Sequence, residues 1–310
     1  MAIRPFPVNA ELTAVAALYR NPDVALIADD VLPRTPASAS FKYLNWDLAQ
    51  GYSVPDLKVG RKSYPNEVEF RGTEIADTVL DYAIDDFVPN QDIDDDNQGL
   101  DPLGAATTYL TGLLRLGREV RAANLVFAQA TYPLGNRTAL SGTSQWSDYT
   151  NSDPVTAILN ALDIPVMRPN VAVFGQRVWT RLRNHPRVVS AVFGSNQSGQ
   201  LVTRQMMAEV LEVQAVYVGA GFVNTAKPGQ TASLARVWGN HAAFMYRDRA
   251  AGPQAGTTFG FTAERTGVMV GLISDDKRGI SGGQTVRVME RVKEVVSANA
   301  LGYYFENAVA

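Results

Sequence analysis

No cysteine occurs among the 310 residues, which excludes disulfides, thiolate metal sites and cysteine nucleophiles. Histidine is almost missing as well, with only His185 and His241 present. His185 precedes Pro186 in an arginine-rich loop and His241 sits in the strand-like run WGNHAAFMY, so both read as structural side chains. No window approaches the ~20 consecutive apolar residues of a membrane-spanning helix. The start, MAIRPFPVNAEL, has neither the charged beginning nor the apolar run of a secretory signal. A soluble product made in the cytosol, with no membrane partner, is the expectation. A net charge of -3 and a pI near 5.5 argue against a chain whose main work is neutralising a phosphate backbone.

Catalytic motifs are scarce too. No Walker loop, dinucleotide fingerprint or His-Glu-x-x-His pattern occurs, and no cofactor is implied. Gly279-Ile280-Ser281-Gly282-Gly283 fits the G-x-S-x-G form of a nucleophile elbow, so a serine hydrolase using Ser281 is a distant alternative. An elbow needs a helix after it and a histidine later in the chain. Here an alternating strand pattern follows and no histidine does, so a glycine-rich hairpin turn is expected. Ser274 and Lys277 form an S-x-x-K match in a polar turn, without the helix that would aim both side chains together. An enzyme is not supported.

What is present is 46% hydrophobic residues, enough for one large or two or three modest cores. The stretch Asp101–Phe127 reads as one long amphipathic helix, with Asp101 as N-cap and Pro102 at the first helical position. Leu103, Ala106, Leu110, Leu113, Gly117, Val120, Asn124 and Phe127 recur at helical spacing and form the expected buried stripe. Thr107, Thr111, Arg115, Arg118 and Arg121 are expected mostly off it.

Residues 1–40 carry five prolines around one short helical pattern, Leu12, Val15, Ala16, Leu18 and Tyr19, and read as an arm. Its apolar face is expected to lie on another surface, of its own subunit or a neighbour's. In 41–90, FKYLNWDL and NEVEFRG are strand-like, and the connecting GYSVPDLKVGRKSYP carries Lys58, Arg61 and Lys62 at the tip of a long hairpin. TEIADTVLDYAIDDF is ambiguous, with the extended reading favoured. An acidic connector follows, Asp92, Asp94, Asp95 and Asp96. Its calcium-loop likeness fails at Asn97 and Leu103, which stand where glycine and glutamate are required. The acidic run therefore reads as a solvated face or as a counterpart to the basic tip of another copy.

After the helix, residues 134–152, rich in Ser, Thr, Gly and Asn with Trp146 embedded, look like a surface excursion or a domain junction. An α/β pattern fills 151–248: a helix capped at Asp153, a strand at Val171–Phe174, helical stretches around Val178–Leu182 and Thr203–Leu211, and the apolar run VQAVYVGAGFV. From 249 to 310 the chain turns β-rich, with long alternating strands that need an apolar cover. The long helix supplies it, which joins 91–150 and 249–310 into one discontinuous unit around the inserted 151–248.

The order of these parts resembles the major capsid proteins of tailed bacteriophages of the Hong Kong 97 type. The resemblance is carried by the hairpin FKYLNWDLAQGYSVPDLKVGRKSYPNEVEF and the helix DPLGAATTYLTGLLRLGREVRAANLVF. The pieces NVAVFGQRVWTRLRNHP and NTAKPGQTASLARVWGNHAAFMYRD and the ending VRVMERVKEVVSANALGYYFENAV extend it over essentially the whole chain. It implies an α+β fold with an N-arm (1–40), an extended loop (41–90), a spine helix with a long-stranded peripheral sheet (91–150 and 249–310) and an inserted axial domain (151–248). It implies a subunit that self-assembles, as pentamers and hexamers, into the icosahedral head around a double-stranded DNA genome. Expected partners are further copies, a separate scaffolding protein, a portal, decoration proteins and DNA held weakly without sequence specificity. The expected location is the virion, reached from the host cytoplasm. An encapsulin-type compartment shell shares the fold and is the alternative. Some family members crosslink lysine to asparagine; Lys58 or Lys62 could donate and Asn299 or Asn307 accept, although nothing local marks that chemistry.

Overall fold

A computed structural model describes residues 26–46, 52–68, 72–94, 101–194, 200–227, 229–252 and 256–310. The elements, in order, are α1 (Ala28–Val31), β1 (Arg34–Pro36), β2 (Ser40–Trp46), β3 (Gly72–Thr78), β4 (Leu80–Pro89), α2 (Asn90–Asp94) and α3 (Pro102–Val126). Next come β5 (Arg137–Ala139), α4 (Pro154–Leu162), β6 (Val171–Gly175), α5 (Gln176–Leu182), α6 (Pro186–Phe193) and α7 (Arg204–Leu211). The chain closes with β7 (Ala215–Gly219), β8 (Phe222–Asn224), β9 (Leu234–Arg236), β10 (Ala242–Met245), β11 (Gly260–Asp275), β12 (Gly283–Val296) and β13 (Gly302–Glu306). The short helical pattern expected at 12–19 lies outside the described residues, as do Asp95 and Asp96.

Two sheets organise the molecule. The first has the order β1-β11-β12-β4, and its antiparallel β11–β12 hairpin runs 16 and 14 residues. The second has the order β5-β13-β10-β6-β7. The closing strand β13 was expected in the long-stranded sheet. It pairs instead with β10, with Ala242 opposite Phe305 and Phe244 opposite Tyr303. The reason is visible in its composition: Tyr303, Tyr304 and Phe305 are all buried, so this strand needs cover on both faces, which the half-exposed long sheet does not give. β5 joins the same sheet parallel to β13, and Trp146 beyond it is 1% exposed against Phe305. Of the two readings of 134–152, the surface excursion is corrected: the stretch is partly core.

Helix α3 starts as its sequence dictates. Asp101 accepts a hydrogen bond from the Gly104 amide at 3.0 Å, and Pro102 occupies the first turn. A side chain at position 104 would oblige the Asp101 carboxylate to shift. The buried face differs from the expected stripe. Ala106, Thr107, Leu110, Thr111 and Leu114 are buried in the first half; Arg118, Glu119, Ala122, Ala123 and Val126 follow in the second. Leu113, Gly117 and Val120 are only half-buried, and Asn124 is exposed. The threonines enter the core because each hydroxyl donates back to its own helix, Thr107 to the Leu103 carbonyl at 2.8 Å and Thr111 to the Thr107 carbonyl at 2.7 Å.

This rotation of the buried face lets one helix serve two cores. Leu110 and Leu114 pack on Val270, Val286, Val288 and Val88 of the long sheet. Ala122, Ala123 and Val126 pack with Val171, Val173, Ala243, Met245 and Tyr304 on one face of the five-stranded sheet. The other face of that sheet is covered by α4 to α7 through Ile158, Leu162, Val178, Leu182, Met207 and Leu211.

Candidate assembly interface

The hairpin expected from 41–90 is present, with its described second strand at Gly72–Thr78; residues 66–68 of the expected strand are not in it, and 69–71 lie outside the described residues. β2 pairs antiparallel with β3, Phe41 opposite Asp77 and Tyr43 opposite Ile75. This register places Phe41 and Tyr43 against Phe261, with ring centroids 6.5 and 6.2 Å away, and Ala263 and Val295 complete the cluster. TEIADTVLDYAIDDF is extended throughout except at Val79, as β3 and β4.

A ladder of ion pairs fixes the root of the hairpin. Arg287 holds Asp85 through two contacts of 2.7 and 2.5 Å, Arg291 holds Asp81 at 3.0 Å, and Lys293 approaches Asp77 at 3.8 Å. Arg287 is opposite Asp85 in the strand register and Arg291 is opposite Asp81, so each pair forms within its own cross-strand position. Asp85 is therefore engaged within the subunit and is not free to meet another copy.

Beyond the root, residues 52–68 are exposed at every position. Lys58, Arg61 and Lys62 all lie in this segment, as the sequence indicated. The sequence did not single out their apolar companions: Tyr52 is 64%, Val54 83%, Leu57 76% and Tyr64 96% exposed. Asp92 and Asp94 are exposed on α2. Among the described residues no ion pair joins these two aspartates to the basic tip.

A second constellation, missed in the sequence, is the strap of residues 27–36. It crosses α3 and ties both sheets together. The two carboxylate oxygens of Glu119 accept from the Ile27 and Ala28 amides, each at 2.8 Å, and the Trp238 indole donates to Glu119 at 2.5 Å. Burial raises the Glu119 carboxyl above its ordinary range, opposed by those three donors. Gly219 makes room for Trp238, because any side chain there would overlap the indole. Arg34 bridges Asp29, Glu264 and Glu290, at 2.7, 2.6 and 3.4 Å. Arg118, 2% exposed, pairs with Asp29 and donates to Thr262 at 3.1 Å. Arg121 lies 3.6 Å over the Tyr82 ring and reaches Glu290 and Glu294. Arg247 donates to the Asp30 carbonyl from the strand-β10 side. Arg118 and Glu119 look like surface residues in a hydrophobicity pattern, and the long-range partners that allow their burial leave no local signal.

The reactive-looking residues are otherwise engaged. Ser281 is exposed in the turn between β11 and β12, with strands on both sides and no helix behind it. His185 is buried and caps α6; its Nδ1 accepts from the Arg187 amide at 3.2 Å, so Nε2 carries the proton toward Ser152 at 3.0 Å. Ser152 in turn donates to the Asp148 carbonyl at 2.6 Å, which leaves the histidine unable to accept its proton as a base would. His241 Nδ1 accepts from the Asn307 amide at 3.1 Å.

The fold is that of known shell proteins. A phage-related protein from Bordetella bronchiseptica RB50 matches over 98% of each chain, with a TM-score of 0.74 and 20% identity. The capsid protein of cyanophage P-SCSP1u matches over 93% of this chain and 90% of its own, with a TM-score of 0.61 and 13% identity. The architecture is the Hong Kong 97 type. No protein-family model matches the chain. The major capsid protein of Pseudomonas phage JBD67, however, is 48% identical over 311 aligned residues that cover 100% of both chains. The chain belongs to this family of phage major capsid proteins, subunits of the virion shell that assemble in many copies. The same relative favours a phage capsid over a cargo compartment.

Proposed function

We propose that the subunit builds the icosahedral head of a tailed, double-stranded DNA phage, as pentamers and hexamers assembled in the host cytoplasm. The observation that carries this reading is the exposed hairpin tip, residues 52–68, where tyrosines and aliphatic side chains stand uncovered beside lysine and arginine. A free subunit gains nothing from such a surface, whereas a shell covers it with the next copy. The root is fixed on the long sheet by the aromatic cluster and the ion ladder. Lys58, Arg61 and Lys62 meet the acidic run Asp92, Asp94, Asp95 and Asp96 of a neighbour.

The parts take the roles of N-arm, extended loop, peripheral domain and axial domain, with β5 and β13 joining the axial sheet through their strand pairing. A scaffolding protein guides closure, a portal occupies one vertex, and decoration proteins bind outside. The mildly acidic chain lines the shell without trapping the packaged DNA. The subunit has no catalytic task and works by geometry alone. Electron microscopy of the expressed protein, alone and with its scaffold, tests the reading. Closed icosahedral particles are expected with scaffold, and a protein that stays monomeric under both conditions overturns it.

A further inference from the structure

Between Asp163 and Glu209 the sequence holds six arginines and no acidic residue, in a chain whose net charge is -3. Arg168 is paired, with Asp163 at 2.6 Å and Glu212 at 3.1 Å. The other five, Arg177, Arg181, Arg183, Arg187 and Arg204, form no ion pair among the described residues. The fold gathers them. Arg177 and Arg181 lie one turn apart on α5, Arg183 follows at its end, and Arg187 comes two residues after His185, whose amide donates to the Leu182 carbonyl. The Val202 amide donates to the Arg183 carbonyl at 3.3 Å, which brings the start of α7, and Arg204 with it, to the same turn. Arg183 is half-buried and the other four are exposed. Subunit stability does not explain this placement. Arg177, Arg187 and Arg204 stand in the first turns of α5, α6 and α7, where the helix dipole disfavours a cation, and none of those turns has an acidic residue. Asp148 and Asp153 lie close enough to act on His185, yet both are engaged: Asp148 accepts from the Thr150 and Asn151 amides, and Asp153 caps α4.

We propose that this arginine face binds the phosphate backbone of double-stranded DNA, weakly and without reading its sequence. The proposal rests on the reading of a shell that encloses DNA and names a surface of it. Guanidinium groups match phosphate oxygens in paired, charge-assisted hydrogen bonds, and every cation between Asp163 and Glu209 is an arginine. The exposed side chains around them are polar, Thr180, Asn184, Ser190, Thr203 and Gln205, which can also donate to phosphate. Leu201, 54% exposed, is the only large exposed hydrophobic residue in the described part of 176–208. A protein partner is met by an apolar centre inside a polar rim, whereas a polar, cationic surface is suited to nucleic acid. The hairpin tip at 52–68 is of the first kind, with cations beside exposed Tyr52, Leu57 and Tyr64; this face is of the second. Four exposed cations neutralise few phosphates, so the grip stays in the range of non-specific binding, with a dissociation constant on the order of 10⁻⁴ to 10⁻⁶ M at physiological salt.

The test uses full-length subunits, dilute and dissociated, and a fluorescein-labelled DNA duplex of mixed sequence whose anisotropy is followed at rising salt. The logarithm of the binding constant is expected to fall with the logarithm of salt at a slope of about -2 to -4, because each neutralised phosphate contributes about -0.9. Changing Arg177, Arg181, Arg187 and Arg204 together to glutamine is expected to weaken binding at least about ten-fold at low salt and to leave a slope shallower than about -1. If that variant does not fold, Arg177 with Arg181 and Arg187 with Arg204 are changed as separate pairs, each expected to remove about half of the slope. Changing Lys58, Arg61 and Lys62 to glutamine is expected to leave binding as in the parent. Equal affinity and slope in the parent and the arginine variants overturn the proposal. Unlabelled polyglutamate that displaces the duplex as effectively as unlabelled DNA also overturns it, since an acidic protein segment is then the occupant. Electron microscopy of particles is scored separately: closed shells together with an unchanged slope in the arginine variants reject this face and leave the shell reading standing. Loss of DNA binding in those variants, from a parent that never closes shells, upholds the face and rejects the shell reading.

Discussion

Glu119 is the side chain on which the strap depends, because its two oxygens take three donors from two distant places in the sequence, the adjacent Ile27 and Ala28 amides and the Trp238 indole. Replacing it with glutamine keeps the shape but puts an amide donor against backbone or indole donors. Glu119→Gln is expected to destabilise the subunit by about 1–3 kcal/mol in denaturant melts, the usual consequence of leaving buried groups without partners. The pH dependence separates Glu119 from the histidines. Burial raises the Glu119 carboxyl, so its contribution is fully present below the ordinary 4.5 and is lost as pH rises through the folded value. Burial lowers His185 and His241, so their contributions are fully present above 6.5 and are lost as pH falls through that value toward the folded ones. Urea midpoints of the parent are therefore expected to drop on acidification below 6.5. Replacing both histidines with glutamine flattens that drop; an unchanged slope in the double variant places the titrating group elsewhere.

At the scale of elements, the long helix separates what sequence patterns reveal from what they hide. Its existence, its cap at Asp101 and the burial of Ala106 and Leu110 were legible, because capping and apolar spacing are local. Its orientation beyond the first turns was not. Thr107 and Thr111 satisfy their hydroxyls on their own helix, and Arg118 and Glu119 satisfy their charges on residues 86 to 144 positions away, so polar residues occupy the core face. Meanwhile Leu113 and Val120 are only half-buried, so the apolar count gives no single direction. The same logic explains β13, whose alternation reads equally well in either sheet until its pairing with β10 is seen. The expected energetics follow the observed faces. Leu110→Ala and Leu114→Ala are expected to cost about 2–5 kcal/mol each, as full truncations in a packed core. Half-buried Leu113→Ala is expected to cost less than about 1 kcal/mol in the isolated subunit. A melt in which Leu113→Ala is the most destabilised of the three returns the helix to the orientation its apolar spacing suggested.

At the scale of the whole molecule, stability is carried by residues other than those of the loop proposed to join neighbouring copies. The folded subunit is held by the two sheet cores, the strap and the root of the hairpin, none of which involves the tip at 52–68. The sequence marked Lys58, Arg61 and Lys62 there because charge in a turn is easy to see, while the exposure of Tyr52, Val54, Leu57 and Tyr64 became evident only from the structure. Two surfaces of different physics thus share one loop, and they can be separated by salt. Changing Lys58, Arg61 and Lys62 together to glutamate leaves the apolar side chains in place and turns the proposed attraction toward a neighbour's Asp92–Asp96 run into repulsion. Screening shortens the reach of that repulsion, from about 30 Å at 0.01 M salt to about 10 Å at 0.1 M. The denaturant midpoint of the isolated subunit is expected to stay within about 0.5 kcal/mol of the parent, since these are exposed surface changes. Particle yield is expected to fall several-fold at low salt and to recover in part as salt rises. In contrast, changing Leu57 and Tyr64 to serine is expected to reduce yield at every salt concentration, because burial of apolar area is not screened. Normal particle yield from the charge-reversed protein at low salt would show that the tip is seated by shape and apolar contact alone, with the acidic run of the neighbour playing no part.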